Sequence, residues 1–78
     1  MKFKIRGRSY VIEKKDVIEK MRGEEPGDID KYYVILEGKK FPIKQVIEVV
    51  CGIPLIGFTS MDAYRILEKL GFEIEVRQ

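Results

Sequence analysis

Thirteen residues, Tyr32–Lys44 (YYVILEGKKFPIK), constrain the fold more than any other stretch. Tyr32, Tyr33, Val34 and Ile35 are aromatic or β-branched, types that suit a pleated, half-buried surface. A glycine then interrupts the run, and an extended segment resumes before a proline. The pattern predicts a β-hairpin running straight into a helix. With Gly38-Lys39 as a two-residue type II′ loop, Glu37 would face Lys40, Leu36 would face Phe41, and Ile35 would face Pro42. Pro42 has no N–H to give to a ladder, so it should end the strand or open the helix. Val46, Ile47 and Val50 recur at the helical period. Cys51-Gly52 should stop that helix, since Pro54 cannot extend it.

The same logic appears earlier. In Lys2–Ile12 (KFKIRGRSYVI), a Gly7-Arg8 turn would pair Ile5 with Tyr10 and Phe3 with Ile12. Lys2, Lys4 and Arg6 would then face away, with Arg8 at the tip. Lys14–Arg22 reads as a short helix burying Val17, Ile18 and Met21, with Gly23 as its stop. Residues 22–31 form a charged Gly/Pro loop that could serve as a hinge. Aligning Gly7 with Gly38 brings Tyr10 onto Phe41 and Ile12 onto Ile43. A ββα duplication and two ordinary hairpin–helix units both fit that match.

Residues 53–59 (IPLIGFT) are a loop rich in apolar groups. It either folds over the core or offers Leu55, Ile56 and Phe58 to a partner. Thr59 and Asp62 have capping-box spacing. Ser60–Leu70 should be a helix with Ala63, Ile66, Leu67 and Leu70 on one face, ended at Gly71. Phe72, Ile74 and Val76 alternate with charged residues as a final strand. The fold class that follows is α+β, in the order ββα-ββααβ. One domain spans 1–78, with a hairpin and helix in 1–31 and a hairpin, two helices and a strand in 32–78. A mostly antiparallel sheet is covered by helices on one face.

The 78 residues contain no histidine and one cysteine. That removes Ser-His and Cys-His nucleophile systems, His general bases and nearly all zinc sites. Cys51 cannot form an internal disulfide, which suits a reducing cytoplasm. No cofactor motif, metal spacing, signal peptide or membrane span is read from the chain. A high Lys/Glu content suits a thermostable protein. Asp28 or Asp30 with Glu37-Gly38-Lys39 loosely matches the D…ExK spacing of metal-dependent nucleases. That motif wants its Glu and Lys inside a strand, whereas here they fall at a hairpin tip.

Basic residues carry the better signal. Lys39, Lys40 and Lys44 surround the central turn, Arg6 and Arg8 the first. Tyr33 could stack on a base. Ribbons and helix N-termini are established ways to meet nucleic-acid phosphate.

Gly38-Lys39-Lys40-Phe41-Pro42-Ile43-Lys44, followed by Phe58, Ala63, Ile66-Leu67 and Leu70-Gly71-Phe72-Glu73, resembles a known module. It is similar to the N-terminal head domain of McrA-like, modification-dependent HNH restriction endonucleases, over residues 32–74. Phe41, Pro42 and Lys44 match the pattern G-K/R-x-Y/F-P-P-K, and Ile43 replaces its second proline. The HNH nuclease itself, with its histidines, is absent. The resemblance implies a DNA-associated accessory module. The reading is therefore a non-catalytic nucleic-acid-binding domain, with DNA preferred to RNA. The alternative is a protein–protein adaptor or small homodimer using residues 53–58. A minimal metal-dependent nuclease stands third.

Overall fold

The computed structural model describes residues 1–78. Its elements run β1 (Lys2–Ile5), β2 (Arg8–Val11), α1 (Lys14–Met21), β3 (Tyr32–Leu36), β4 (Lys39–Pro42), α2 (Ile43–Cys51), a 3₁₀ turn (Leu55–Gly57), α3 (Ser60–Lys69) and β5 (Glu75–Val76). The class is α+β in the expected order. The strands form two antiparallel sheets where one was expected: β1-β2, and a three-stranded sheet ordered β4-β3-β5. The C-terminal strand joins β3 alone, because β4 occupies the other edge of β3.

Helix α2 is the hub. Ile43, Val46, Ile47 and Val50 are buried, and α1, α3 and the β3-β4 hairpin all pack around it. From the sheet it meets Val34, Leu36 and Phe41; from the other helices it meets a core containing Val17, Met21, Ala63, Ile66 and Leu67. Ile18, expected inside, is only half-buried, since α1 turns the Val17–Met21 stripe inward and Ile18 lies one position round the helix from it. No helix is long and apolar enough to cross a membrane.

Helix ends follow from local chemistry. The Asp16 carboxylate accepts the Glu13 N–H at 2.9 Å and so closes the start of α1. At α3, the Asp62 carboxylate accepts the Thr59 N–H while Thr59 Oγ1 accepts the Asp62 N–H, a reciprocal capping box. The hydrogen bond from the Thr59 backbone, followed by the Thr59 hydroxyl and Arg65, holds the Asp62 carboxyl below its ordinary value. At the far end, Phe72 N–H reaches Leu67 O and Gly71 N–H reaches Glu68 O, both at 3.0 Å, the paired bonds of a Schellman stop.

Both hairpins turn one residue earlier than expected. The loops are Arg6-Gly7, with φ 51° and 81°, and Glu37-Gly38, with φ 52° and 79°. Both central residues are left-handed, so each is a type I′ turn with glycine second. In the second hairpin, Val34 now faces Phe41, Ile35 faces Lys40, and Leu36 faces Lys39. In the first, Ile5 faces Arg8, and Phe3 faces Tyr10. Both registers put Val34, Leu36 and Phe41 on one face, because they differ by two positions. What changes is the partner, with Val34 rather than Leu36 directly opposite Phe41, and the turn, which now has both central residues left-handed.

The final strand is shorter than expected. Only Glu75 and Val76 pair, against Tyr33 and Tyr32. Phe72 and Ile74 pack against the core before pairing begins, while Val76 is largely exposed.

Candidate functional site

The residues predicted to bind phosphate do not form one cluster. Lys39 and Lys40 are strand neighbours, so their side chains leave opposite faces of the sheet. Lys39 shares the face of Leu36. Its ammonium lies 3.4 Å from Glu24 O and 3.9 Å from a Glu25 carboxylate oxygen. Lys40 shares the outer face with Ile35 and sits 5.4 Å from the centre of the Tyr33 ring. Tyr33 is thus half-buried on the outer face, beside Pro42 and Glu75.

Lys44 has a structural task. Its ammonium donates to Leu55 O at 2.8 Å and lies 5.0 Å from the centre of the Phe58 ring. It therefore fastens the 3₁₀ turn to the start of α2. Gln45, the next residue, fastens the other flanking loop: it accepts from Gly27 N–H at 2.7 Å and donates to Glu25 O at 2.8 Å. Arg77 also holds that loop, through Ile29 O. The expected hinge over residues 22–31 is consequently tied at several points, by a glutamine that no charge or periodicity signal marks.

Of the three residues expected to face a partner, Phe58 does not. It is 2% exposed and belongs to the core. Its ring belongs to the core cluster, with the Lys44 ammonium of α2 over it. Leu55 and Ile56 do project, at 44% and 95% exposure.

Arg6 and Arg8 are differently placed. Neither side chain makes a hydrogen bond or an ion pair within the chain. With Tyr10 they line a groove of about 340 Å³ whose other wall is Ile53, Pro54 and Ile56. No carboxylate lines it. The buried face of the first hairpin points at this loop, through Ile5 and Tyr10. The opposite face carries Lys2, Lys4, Ser9 and Val11, cross-strand partners in pairs. Two expected competitors, the basic tip of the first hairpin and the apolar loop, are thus two walls of one groove. Their contact spans some fifty positions of sequence, so no local signal announces it.

The carboxylates of the nuclease-like spacing are dispersed. Glu37 pairs with Arg22 at 3.1 Å. Asp28 and Asp30 line a separate groove with Lys31, Gln45 and Glu48. No three Asp, Glu, Cys or His side chains come together in a metal-holding group. Cys51 is half-buried, and burial raises its thiol pKa, with a smaller opposing effect from Lys20. That favours the protonated, unreactive form.

Comparison with known proteins adds one finding. The chain matches the SCO5918-like family over residues 1–78. The chain belongs to the SCO5918-like family. No curated protein and no solved structure matches it significantly. The family match takes in both hairpin–helix units of this SCO5918-like chain, including residues 1–31, which lie outside the resemblance to the McrA-like head domain.

Proposed function

We propose that this SCO5918-like domain is a non-catalytic nucleic-acid-binding module, with duplex DNA its first partner, and that the first hairpin meets the phosphates. The observation that carries this reading is the segregation of charge. Lys2, Lys4, Arg6 and Arg8 are the only charged side chains in residues 1–12, giving that segment +4 and leaving −2 for the rest of the net +2 chain. A two-stranded ribbon with cations on its outer face and tip is a surface suited to phosphate.

Backbone conformation supports the same reading. Arg6 takes a left-handed φ that asparagine, aspartate or glycine would hold more cheaply. Glu37 takes the same conformation but gains an ion pair with Arg22. Arg6 gains nothing inside the chain, so a charged residue there is better explained by something outside it. Lys40 and Tyr33 extend the surface along the second sheet, while Lys39 and Lys44 are secondary because internal oxygens already engage them. A cytoplasmic setting, thermostability and an accessory role beside a nuclease go with this reading.

The test is a titration of labelled duplex at several salt concentrations. Binding should weaken with salt, and Arg6→Ala with Arg8→Ala should flatten the slope of log K against log salt by roughly 1.8 units, about 0.9 per contact. An unchanged slope in the folded double variant removes the hairpin from the interface. Lys44→Ala is a poor probe, since it also frees the 3₁₀ turn.

The second reading, a protein adaptor or homodimer, is favoured by the nearly complete exposure of Ile56. It predicts concentration-dependent association that persists at high salt.

A further inference from the structure

The groove between the first hairpin and the 53–57 loop joins two chemistries that phosphate contact alone does not need. One wall is cationic, Arg6 and Arg8; the other ends in Ile56, an aliphatic side chain 95% exposed. An isoleucine so exposed on a floppy loop would be unremarked, but this loop is held firmly. Gly57 N–H bonds Pro54 O at 2.8 Å, and Lys44 holds Leu55 O at 2.8 Å. Packing inside the loop is tight as well: a β-carbon at Gly57 would lie 2.9 Å from Ile53 Cγ2. A 3₁₀ turn closed by its own hydrogen bond and fastened by Lys44 presents Ile56, with Leu55 beside it, next to two arginines whose side chains have no partner in the chain.

The size of the apolar feature decides what fits it. A stable protein interface buries roughly 800 Å² on each side around a continuous apolar centre. The other exposed apolar groups, Met1, Val11, Ile35, Met61 and Val76, all lie outside the 3₁₀ turn. A projecting aliphatic residue facing two cations across a narrow groove is instead the chemistry of a wedge. Proteins that bind the minor groove push such side chains between base pairs while arginines hold the flanking backbone. The minor groove of duplex RNA is wide and shallow, so the same device works poorly there.

We propose that Ile56 enters a base step of duplex DNA and kinks it, while Arg6 and Arg8, across the groove from it, grip the adjacent phosphates. This rests on the nucleic-acid reading above and names the form of nucleic acid and the contact that would distort it.

The experiment uses the whole chain and a short duplex carrying a fluorophore at each end. Wild-type protein should shorten the end-to-end distance. Ile56→Ala should keep the wild-type salt slope, lose the shortening and bind roughly tenfold more weakly. Arg6→Ala with Arg8→Ala should flatten the slope. The residue is solvent-exposed, so Ile56→Ala should melt as wild type does, and circular dichroism verifies that. If wild type binds and Ile56→Ala bends the duplex equally, the wedge is wrong and the phosphate-binding reading stands. If wild type binds duplex DNA at no salt concentration, that reading fails and the wedge fails with it. Binding of duplex RNA as tightly as DNA, Ile56-dependent binding to vesicles of anionic phospholipid without DNA binding, or self-association abolished by Ile56→Ala would each overturn the wedge and assign the tip elsewhere.

Discussion

The two hairpins are near copies in local geometry and opposites in context. Each is a type I′ turn of one charged residue followed by glycine, with matching φ values, and each leads into a helix. The second is absorbed by the fold. Phe41 is 1% exposed, β5 covers one edge of β3, Glu37 is paired with Arg22, and Lys39 reaches the 24–25 loop. The first is attached by one face only. Tyr10 is half-buried, β1 and β2 pair only with each other, Lys2 and Lys4 leave the outer face, Arg6 and Arg8 stand at the tip beside the groove, and no acid lies among residues 1–12. A basic turn is therefore not a binding site by composition. It becomes a candidate when the surrounding fold leaves its charges unspent.

The largest test of this contrast is in the core. Phe41→Ala should cost ~3–5 kcal/mol, because a fully enclosed ring leaves a cavity. Tyr10→Ala should cost clearly less in the same chemical denaturation. Equal losses would mean the first hairpin is as integrated as the second. Leu67→Ala, at a fully buried position of α3, gives the yardstick at ~2–5 kcal/mol.

Turn substitutions come next. Gly38 has φ 79°, where a β-branched side chain is strained. Gly38→Val should destabilise by about 1–2 kcal/mol or more, and Lys39→Val, on an ordinary strand backbone, by much less. Equal thermal shifts would contradict the register. Gly7→Val should strain its own turn similarly but depress global stability less, since the first hairpin can fray alone.

A smaller and opposite effect is expected one residue earlier. Arg6→Asn should raise stability by about 0.5–1 kcal/mol, since asparagine tolerates the left-handed region. Glu37→Asn should gain less, because it surrenders an exposed ion pair worth ~0.2–1 kcal/mol. If Arg6→Asn is stabilising and also lowers the salt slope of DNA binding, the strained arginine is kept for binding. A stabilised variant with wild-type binding would break that link.

The smallest effect lies outside both hairpins. Asp62 has a lowered pKa in the fold, so its carboxylate stabilises above the unfolded value near 3.8 and stops doing so as pH falls through the folded value. Asp62→Ala should melt lower than wild type at pH 7, and the gap should close on acidification below that range. A gap that persists in strong acid would mean that packing, not the ionised cap, is responsible.

Local chemistry alone determined a good deal of this protein. The order ββα-ββααβ, the reciprocal cap at Thr59 and Asp62, the helix stops at Gly52 and Gly71, and the apolar faces of α2 and α3 are all written within a few residues of where they act. Period and capping depend on neighbours in sequence, so the sequence shows them. Turn register was different. Gly38 is compatible with either the first or the second place in a two-residue loop, and both put Val34, Leu36 and Phe41 on one face, so the hydrophobic pattern does not choose between them. The folded chain takes the second, with Val34 opposite Phe41. The fate of the basic side chains was also decided at a distance. Lys44 meets Leu55, Lys39 meets Glu24, and Arg6 meets nothing, because docking of loops onto α2 sets which oxygens come within reach. The groove that unites Arg6 and Arg8 with Ile56 exists only once both hairpin and loop have packed on the same core, since contacts between segments fifty residues apart leave no trace in the pattern of either.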